Sequence, residues 1–309
     1  MITRVKHKDI TWIDIKNPRD KAVKYLEKKF DFIHEPVLNE LIPPGHRAKV
    51  ERHEEYLFMV LYYPIFDPRH KTTQSRELDV IITKDHIITV HYKTILPLNK
   101  LREELGANEE KRGEYMEDGP GMLLYHLVVG LLDSALNKLV LIEENIDEIE
   151  EAIFEEGKEK EMVREISLIK RDVLNFRRIL APQIPIMESL HREGTSFFGD
   201  FMSPYLDDLL GYYGRVWNAV EDQRETVQAL AETNDSMLSM KINEIIKVLT
   251  IFSVIVFPLT LISSIWGMNT EYTPFVDEFG SPFDFWLIIG LMVILSAFML
   301  IFFKIKKWF

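Results

Sequence analysis

Two uncharged stretches late in the sequence restrict this chain to architectures that meet a membrane. They cover residues 248–266 and 285–303, and neither contains Asp, Glu, Lys or Arg. An α-helix rises about 1.5 Å per residue, so about 20 apolar residues cross the roughly 30 Å hydrocarbon core of a bilayer. Each stretch is therefore predicted to cross the membrane once as a helix.

Charge predicts the orientation of these two spans. Basic residues flank the spans on one side, at Lys241, Lys247, Lys304, Lys306 and Lys307. The loop between the spans lacks Lys and Arg and carries Glu271, Asp277 and Glu278. By the positive-inside rule, both termini face the cytoplasm and the loop faces outward. The N-terminus has no apolar signal-peptide region, so we expect a multi-pass protein of the cytoplasmic membrane.

Composition excludes several classes of function. The net charge is −12, whereas nucleic-acid binding requires a basic face. The sequence contains no cysteine, which excludes disulfides and thiolate metal sites. It also lacks a P-loop, a nucleophile elbow, a Gly-rich dinucleotide turn and a metal-hydrolase motif. We therefore expect no nucleic-acid partner and no enzyme activity.

Hydrophobic periodicity divides the chain into four predicted segments. These are an α/β cytoplasmic domain at 1–118, a helical hairpin at 119–200, a stalk helix at 201–247 and a transmembrane domain at 248–309. The last comprises a first span at 248–266, a loop at 267–283, a second span at 284–303 and a basic tail at 304–309.

In the α/β segment, residues 10–15, 48–53, 56–63, 78–83 and 86–92 are predicted strands. Pro64 is expected to end the third of these strands, because Pro cannot donate to a β-ladder. Four histidines lie in or beside the strands, at His53, His70, His86 and His91. No pair of them has a metal-binding spacing with carboxylate support, so we interpret them as surface or strand residues.

The middle of the chain is predicted to be helical. Apolar residues recur at three- and four-residue steps from Pro120 until Gly157 breaks the helix, and a second helix extends to Leu180. A turn is expected at 195–200. The hairpin is strongly acidic, at Glu143, Glu144, Asp147, Glu148, Glu150, Glu151, Glu155 and Glu156. This pattern indicates either a solvated helix face or an electrostatic collector of cations.

One helix is predicted from about Ser203 through the first span, roughly 95 Å at 1.5 Å per residue. Its apolar stripe alternates steps of four and three, at Leu209, Tyr213, Val216, Val220, Gln223, Val227, Leu230, Asn234 and Met237. The stripe is either the core of an ordinary bundle or the seam of an oligomeric stalk. Continuity with a membrane span favours the parallel homo-oligomeric stalk.

The first span ends in Gly267-Met268-Asn269, and a short acidic loop, a second span and a basic tail follow. Together with the run 243–269, this arrangement resembles the CorA family of divalent-cation channels. The resemblance implies an α+β membrane protein, with two transmembrane helices per subunit in a homopentameric channel. It also implies influx of Mg²⁺, with Co²⁺ and Ni²⁺ as further ions. The implied selectivity filter is Gly267, Met268 and Asn269.

The chemistry of the tripeptide fits such a filter. Mg²⁺ prefers octahedral oxygen ligands and loses its water reluctantly, so a ring of neutral amide oxygens from Asn269 suits the hydrated ion. Gly267 allows the backbone to turn at the helix end, where carbonyl groups are free. Glu271 in the outer loop is expected to attract cations.

One helical face of the first span is the predicted pore lining. It comprises Asn243, Ile246, Leu249, Ser253, Phe257 and Thr260. The polar members fit a wet path and the apolar members fit constrictions that gate by dewetting. Helix packing is the alternative role for each polar residue. Familiar members of the family often carry Met where this chain has Ile246 and Phe257.

Regulation is implied by the resemblance alone. In that family, Mg²⁺ bound between cytoplasmic domains holds the pore shut. Asp208 and Glu232 fall on positions where carboxylates face the ion, so they are the expected regulatory Mg²⁺ ligands. The family also uses an acid just after the last strand of the α/β domain, whereas residues 91–97 contain no carboxylate. Asp208 is therefore expected to work with another acid, or regulation is weaker.

Two alternatives stay open. A Zn²⁺ transporter of the same superfamily resembles this chain, but such relatives tend to vary the middle residue of the tripeptide, so Met268 favours Mg²⁺. A two-span membrane sensor with a cytoplasmic ligand-binding domain is the alternative from another class. It would require an output domain.

Overall fold

The structure is a computed structural model that describes residues 1–42, 45–67, 72–155, 157–268, 282–306 and 308. It divides into two compact units, Met1–Glu232 and Thr233–Phe309. The strands are β1 (Ile2–His7), β2 (Ile10–Lys16), β3 (Lys49–Arg52), β4 (Leu57–Asp67), β5 (Thr72–Ile82) and β6 (His86–His91).

Nine α-helices are present in the described part of the chain. They are α1 (Asp20–Lys29), α2 (Glu35–Glu40), α3 (Leu96–Ala107), α4 (Glu109–Met116), α5 (Pro120–Ala152), α6 (Glu159–Leu180), α7 (Ile184–Phe198), α8 (Ser203–Trp266) and α9 (Pro282–Ile305). Single 3₁₀ turns at Ala181–Gln183 and Asp200–Met202 precede α7 and α8.

The six strands form one mixed sheet with the order β1-β2-β6-β5-β4-β3. Only the β2–β6 pair is parallel among these strands. Successive residues of a strand point to opposite faces, so each face has its own core. Trp12, Leu57, Val80 and Ile87 join the core that includes residues of α3–α8, and Ile13, Phe58, Ile81 and Ile88 join the core that includes residues of α1 and α2.

The prediction that Pro64 ends a strand is wrong. β4 continues to Asp67, and Pro64 lies opposite Ser75 of β5. Among the described residues, β3 pairs with β4 only as far as Val60, so the rest of β4 is an edge where a missing N–H is tolerated. The buried Gln183 side chain covers this edge, because it accepts from the Tyr62 backbone N–H at 2.6 Å and donates to the Tyr62 carbonyl oxygen.

The predicted helical hairpin is confirmed as α5 and α6. Gly157 lies between them with φ of +88°, a conformation that favours glycine. We did not predict α7, although residues 195–200 were expected to turn and Gly199, with φ of +95°, does end that helix. Pro182 lies in the 3₁₀ turn after α6, whereas Pro185 lies in the first turn of α7, where proline is tolerated.

The oligomeric-seam interpretation of the α8 stripe is wrong for its first seven residues. Leu209, Tyr213, Val216, Val220, Gln223, Val227 and Leu230 are buried within their own chain. The Tyr213 hydroxyl donates to the Leu180 carbonyl of α6 at 2.6 Å, and Gln223 Nε2 donates to the Leu139 carbonyl of α5 at 2.8 Å. The helical hairpin, and not a second copy, therefore buries this stripe.

Three helices are long and apolar enough to cross a membrane, judged by length and composition within the described residues: α5, α8 and α9. Over the most apolar 18 residues of each helix, 39% of α5 is buried inside the protein, compared with 6% of α8 and 0% of α9. The buried positions of α5 belong to the core under the sheet. The two predicted spans lie in α8 and α9. Most apolar side chains within these two spans are exposed and require another apolar environment.

Candidate pore and regulatory sites

The tripeptide begins where α8 ends. The Gly267 N–H donates to the Ser263 carbonyl at 2.9 Å, and the Met268 N–H donates to the Ile265 carbonyl at 3.3 Å. A Cβ at position 267 would lie 3.1 Å from the Ser263 oxygen, so a side chain there would crowd this last turn. Asn269 and Glu271 lie outside the described residues.

The predicted pore face is an exposed face of α8. All six of its members, Asn243, Ile246, Leu249, Ser253, Phe257 and Thr260, are exposed. Ser253, Phe257 and Thr260 also line a shallow groove of about 410 Å³ on this helix, which extends to Ser264. The large apolar members are widely exposed, with Phe257 at 78% and Leu249 at 63%.

The hydroxyl groups of this face are oriented by their own helix. Ser253 Oγ donates to the Leu249 carbonyl at 2.8 Å, and Thr260 Oγ1 donates to the Val256 carbonyl at 2.9 Å. A hydroxyl that donates its proton in this way still has acceptor lone pairs. The groove therefore presents neutral oxygen acceptors, which can bind the water shell of a cation without a fixed negative charge.

Asp208 lies on the part of α8 that belongs to the first compact unit, and it is exposed. Its Oδ2 accepts a hydrogen bond of 2.8 Å from the Tyr125 hydroxyl of α5. Burial, followed by the hydrogen bond to Asp208, raises the pKa of Tyr125 to about 12. The preceding residue, Asp207, is 2.9 Å from His191 Nε2 of α7. Asp208 thus keeps carboxylate lone pairs for a further ligand.

Glu232 is exposed and accepts a hydrogen bond of 2.9 Å from Gln228 Nε2. At 1.5 Å rise per residue, Asp208 and Glu232 are about 36 Å apart along α8, so they cannot share one ion within a subunit. Within the described residues, no three His, Asp or Glu side chains form a ready metal cluster. The structure does not bring the two predicted regulatory residues together.

Sequence reasoning missed a buried carboxylate in β2. Asp14 is 1% exposed, accepts from Thr89 Oγ1 at 2.8 Å and Arg102 Nη1 at 2.5 Å, and lies 3.3 Å from His91 Nε2. Burial alone would raise the pKa of Asp14, but the interactions of the carboxylate with His91, Thr89 and Arg102 outweigh burial and lower that pKa. A lone acid in the apolar run 10–15 was the available signal.

A second buried acid, Asp79 of β5, has few partners. It is 1% exposed; its Oδ2 is 3.3 Å from the Tyr92 hydroxyl, and its Oδ1 has no hydrogen-bond partner in the described part of the chain. Burial, followed by the charge of Glu77, raises the pKa of Asp79 from an ordinary 3.8 to about 8. The carboxyl group is therefore mostly protonated at neutral pH.

Comparisons with known proteins agree with this architecture. The chain matches the family model described as CorA-like Mg²⁺ transporter protein over residues 7–306. It is 31% identical to the cobalt/magnesium transport protein CorA of Thermotoga maritima over 96% of this chain and 83% of that protein. It is 20% identical to the zinc transport protein ZntB of Pectobacterium carotovorum over 96% of this chain and 87% of that protein.

Among solved structures, the fold matches that of the CorA magnesium transporter from Methanocaldococcus jannaschii. The TM-score is 0.81 at 22% sequence identity, over 97% of this chain and 92% of that one. The N-terminal α/β domain, the long helices and the apolar C-terminal helices are common to both folds. With the family match over nearly its whole length, the chain belongs to the CorA-like family of Mg²⁺ transporters and is a divalent-cation transporter of that family.

Proposed function

We propose that this protein is a homopentameric channel through which Mg²⁺, and also Co²⁺ and Ni²⁺, enter the cell. The observation that carries the proposal is the exposed face of α8, where oriented hydroxyl oxygens alternate with large apolar side chains. Two spans per subunit are too few to enclose a pore, so several copies must surround it. The name of the Thermotoga maritima relative, a cobalt/magnesium transport protein, supports these ions.

In this proposal, the filter consists of Gly267, Met268 and Asn269, and Glu271 attracts cations to it. The turn at Gly267 supports the assignment, because its tight approach to the Ser263 carbonyl leaves little room for a side chain. Neutral amide oxygens of Asn269 would hold hydrated Mg²⁺ through its waters. A ring of carboxylates would bind the ion more tightly and release it more slowly.

Below the filter, the same face provides a wet path and a gate. Asn243, Ser253 and Thr260 supply polar contacts to hydrated ions. Ile246, Leu249 and Phe257 form rings of apolar side chains that close the pore by excluding water. Their wide exposure in a single subunit fits side chains that meet their equivalents from other copies around an axis.

Asp208 and Glu232 are proposed as regulatory Mg²⁺ ligands at two separate heights of the stalk. Because about 36 Å of helix separates them, each needs further ligands from a neighbouring subunit or from water. Cytoplasmic Mg²⁺ bound there would hold the subunits together and the pore shut. Both termini face the cytoplasm in this arrangement, and the membrane is the cytoplasmic membrane.

Zn²⁺ transport is the second candidate function, because a zinc transport protein is among the relatives. Met268 favours Mg²⁺ over this alternative. The two functions differ in the ion carried and in any dependence on a proton gradient. One flux assay therefore separates them.

The test is downhill ion entry into liposomes that contain the purified protein, read with an internal Mg²⁺ dye and with Zn²⁺ and Co²⁺ in parallel. Asn269→Ala and Thr260→Val should reduce Mg²⁺ flux strongly. Ser296→Ala is the matched control, because the Ser296 hydroxyl donates to the Met292 carbonyl in the same way but lies on α9.

Zn²⁺ flux without Mg²⁺ flux would assign the protein to the zinc branch. No flux of any ion would refute the channel proposal. Equal loss in Ser296→Ala and Thr260→Val would refute the assignment of the pore to the α8 face.

A further inference from the structure

Two histidines and a tyrosine form a compact cluster at one end of the sheet. His34 precedes α2, His53 follows β3 and Tyr56 precedes β4. The ring of His53 stacks on Tyr56, with centroids 4.3 Å apart and planes 17° apart. The ring of His34 lies 4.9 Å from that of His53. The chain therefore brings two imidazoles side by side, although they are distant in sequence.

In this cluster, His34 has a hydrogen bond of the kind that orients metal-binding histidines. Such a histidine normally holds its other ring nitrogen in a hydrogen bond that fixes the ring. His34 Nδ1 is 2.6 Å from the hydroxyl of Tyr56, which is itself buried. The Tyr56 oxygen also lies 3.3 Å from the backbone N–H of His34. Tyr56 thus fixes His34 through Nδ1, and Nε2 of His34 remains for a ligand.

The ring nitrogen Nε2 of His53 is the second feature that points to a ligand. Its Nε2 is shielded from solvent and has no hydrogen-bond partner in the described chain. A buried polar atom is costly unless it is paired, and binding a metal ion is one way to pair it. Burial, followed by the nearby His34, also lowers the pKa of His53. The lowered pKa favours the neutral imidazole, which is the form that binds metals.

The space for a ligand is present. A cavity of about 820 Å³ is lined by His34, His53 and Tyr56 together with the carboxylates of Glu54, Glu55 and Glu193. Glu54 and Glu55 are exposed and adjoin His53 in sequence. The described residues hold no ready cluster of three ligands, so two imidazoles form the fixed part of the site and a third ligand must move in.

We propose that His34 and His53 bind a first-row transition-metal ion such as Co²⁺, Ni²⁺ or Zn²⁺, with water or a carboxylate of Glu54 or Glu55 completing the shell. Imidazole suits these ions, whereas Mg²⁺ prefers oxygen ligands. The site therefore distinguishes transition metals from Mg²⁺, and it is separate from the proposed Mg²⁺ ligands on α8. It goes beyond the proposed function, and binding is measured without transport.

The experiment titrates Ni²⁺ into the full-length protein in detergent, purified without a polyhistidine tag, and follows heat release. Co²⁺ titration followed by visible absorption reports coordination by nitrogen. We expect one tight site per subunit, and His34→Gln and His53→Gln should each weaken Ni²⁺ binding at least tenfold. Loss of even a residue that only supports a ligand weakens metal binding about 10- to 100-fold. A thousandfold excess of Mg²⁺ should not displace the bound ion.

His86→Gln is the matched control and should leave binding unchanged. Both ring nitrogens of His86 already have partners, Asp85 at 2.7 Å and Lys29 at 3.1 Å. Unchanged Ni²⁺ affinity in His34→Gln and His53→Gln, or displacement of Ni²⁺ by equimolar Mg²⁺, would overturn the proposal.

A measurement on the unaltered protein covers the case in which a variant fails to fold. Bound Ni²⁺ should slow the carbethoxylation of His34 and His53, read by peptide mass spectrometry, and leave that of His86 unchanged. Equal modification rates with and without Ni²⁺ at all three histidines would also overturn the proposal.

Discussion

Replacing the buried Asp79 with Asn should stabilise the N-terminal α/β domain, and more so at higher pH. The folded state holds this carboxyl group with a pKa of about 8, against an ordinary 3.8. Between these two values the unfolded chain releases the proton and the folded chain keeps it. Native stability therefore falls as pH rises through this window, and the loss ends above pH 8.

The size of the effect follows from the pKa difference. Each pH unit in the window changes stability by up to about 1.4 kcal/mol, so Asp79 costs up to about 4 kcal/mol at pH 7. Asn is nearly isosteric, carries no charge and can still hydrogen-bond the Tyr92 hydroxyl. At about 2–4 °C per kcal/mol for a domain of this size, the variant should melt roughly 10 °C higher at pH 7 and only slightly higher at pH 5.

The assay is thermal unfolding of the full-length protein in detergent, followed by tryptophan fluorescence between pH 5 and pH 9. Asp118→Asn, at an exposed acid, is the control and should show no pH-dependent gain. Glu77→Gln should reduce the pH dependence in the wild-type background, because Glu77 contributes to the raised pKa. A gap in melting temperature that is constant across pH, or an Asp79→Asn protein that melts lower at pH 8, would refute the reasoning.

Two further predictions follow from the contacts described above. Arg102→Met should destabilise the α/β domain by about 3 kcal/mol in the same assay. The substitution removes the guanidinium group that pairs with Asp14 and leaves this carboxylate buried beside His91. A decrease in the free energy of unfolding of less than about 1 kcal/mol would contradict the prediction. Gly267→Ala should lower Mg²⁺ flux several-fold through its contact with the Ser263 carbonyl, whereas Gly290→Ala on α9, where an added Cβ meets no heavy atom within 4 Å, should not. Equal flux in both glycine variants would exclude a special role for that turn.

The long helices were predictable because their signals are local. The apolar period of α5, the break at Gly157 and the unbroken run into the first span follow from neighbouring residues alone. β1 and α7 were missed: β1 lies in a short polar stretch, and α7 has one proline just before it and another in its first turn. Such elements form because the sheet edge at β2 and the β3–β4 region provide packing partners, which a sequence window does not contain.

The sequence also could not predict which surface buries the apolar stripe of α8. A heptad pattern in α8 indicates that Val216 and Val220 are buried, but the same pattern fits a second copy or another helix of the same chain. The partners of Asp14 raise the same difficulty, since Thr89 and Arg102 lie 75 and 88 positions away. By contrast, exposure of the pore face follows directly from helical spacing.

Some carboxylates of this chain are buried and others are exposed, and this difference bears on transport. Asp14 and Asp79 are buried in the sheet. Arg102 compensates the charge of Asp14, whereas Asp79 is mostly protonated at neutral pH. The described part of the proposed pore face contains no ionisable side chain and offers only neutral oxygen and apolar groups.

The acids of α5 between residues 143 and 151 are exposed. A field from such a surface raises the local concentration of cations without coordinating them. In the proposed channel, acids that attract cations at a distance would act together with a pore face that binds them weakly. This combination suits the quick release of a hydrated ion. A carboxylate within the narrow path would instead hold the ion.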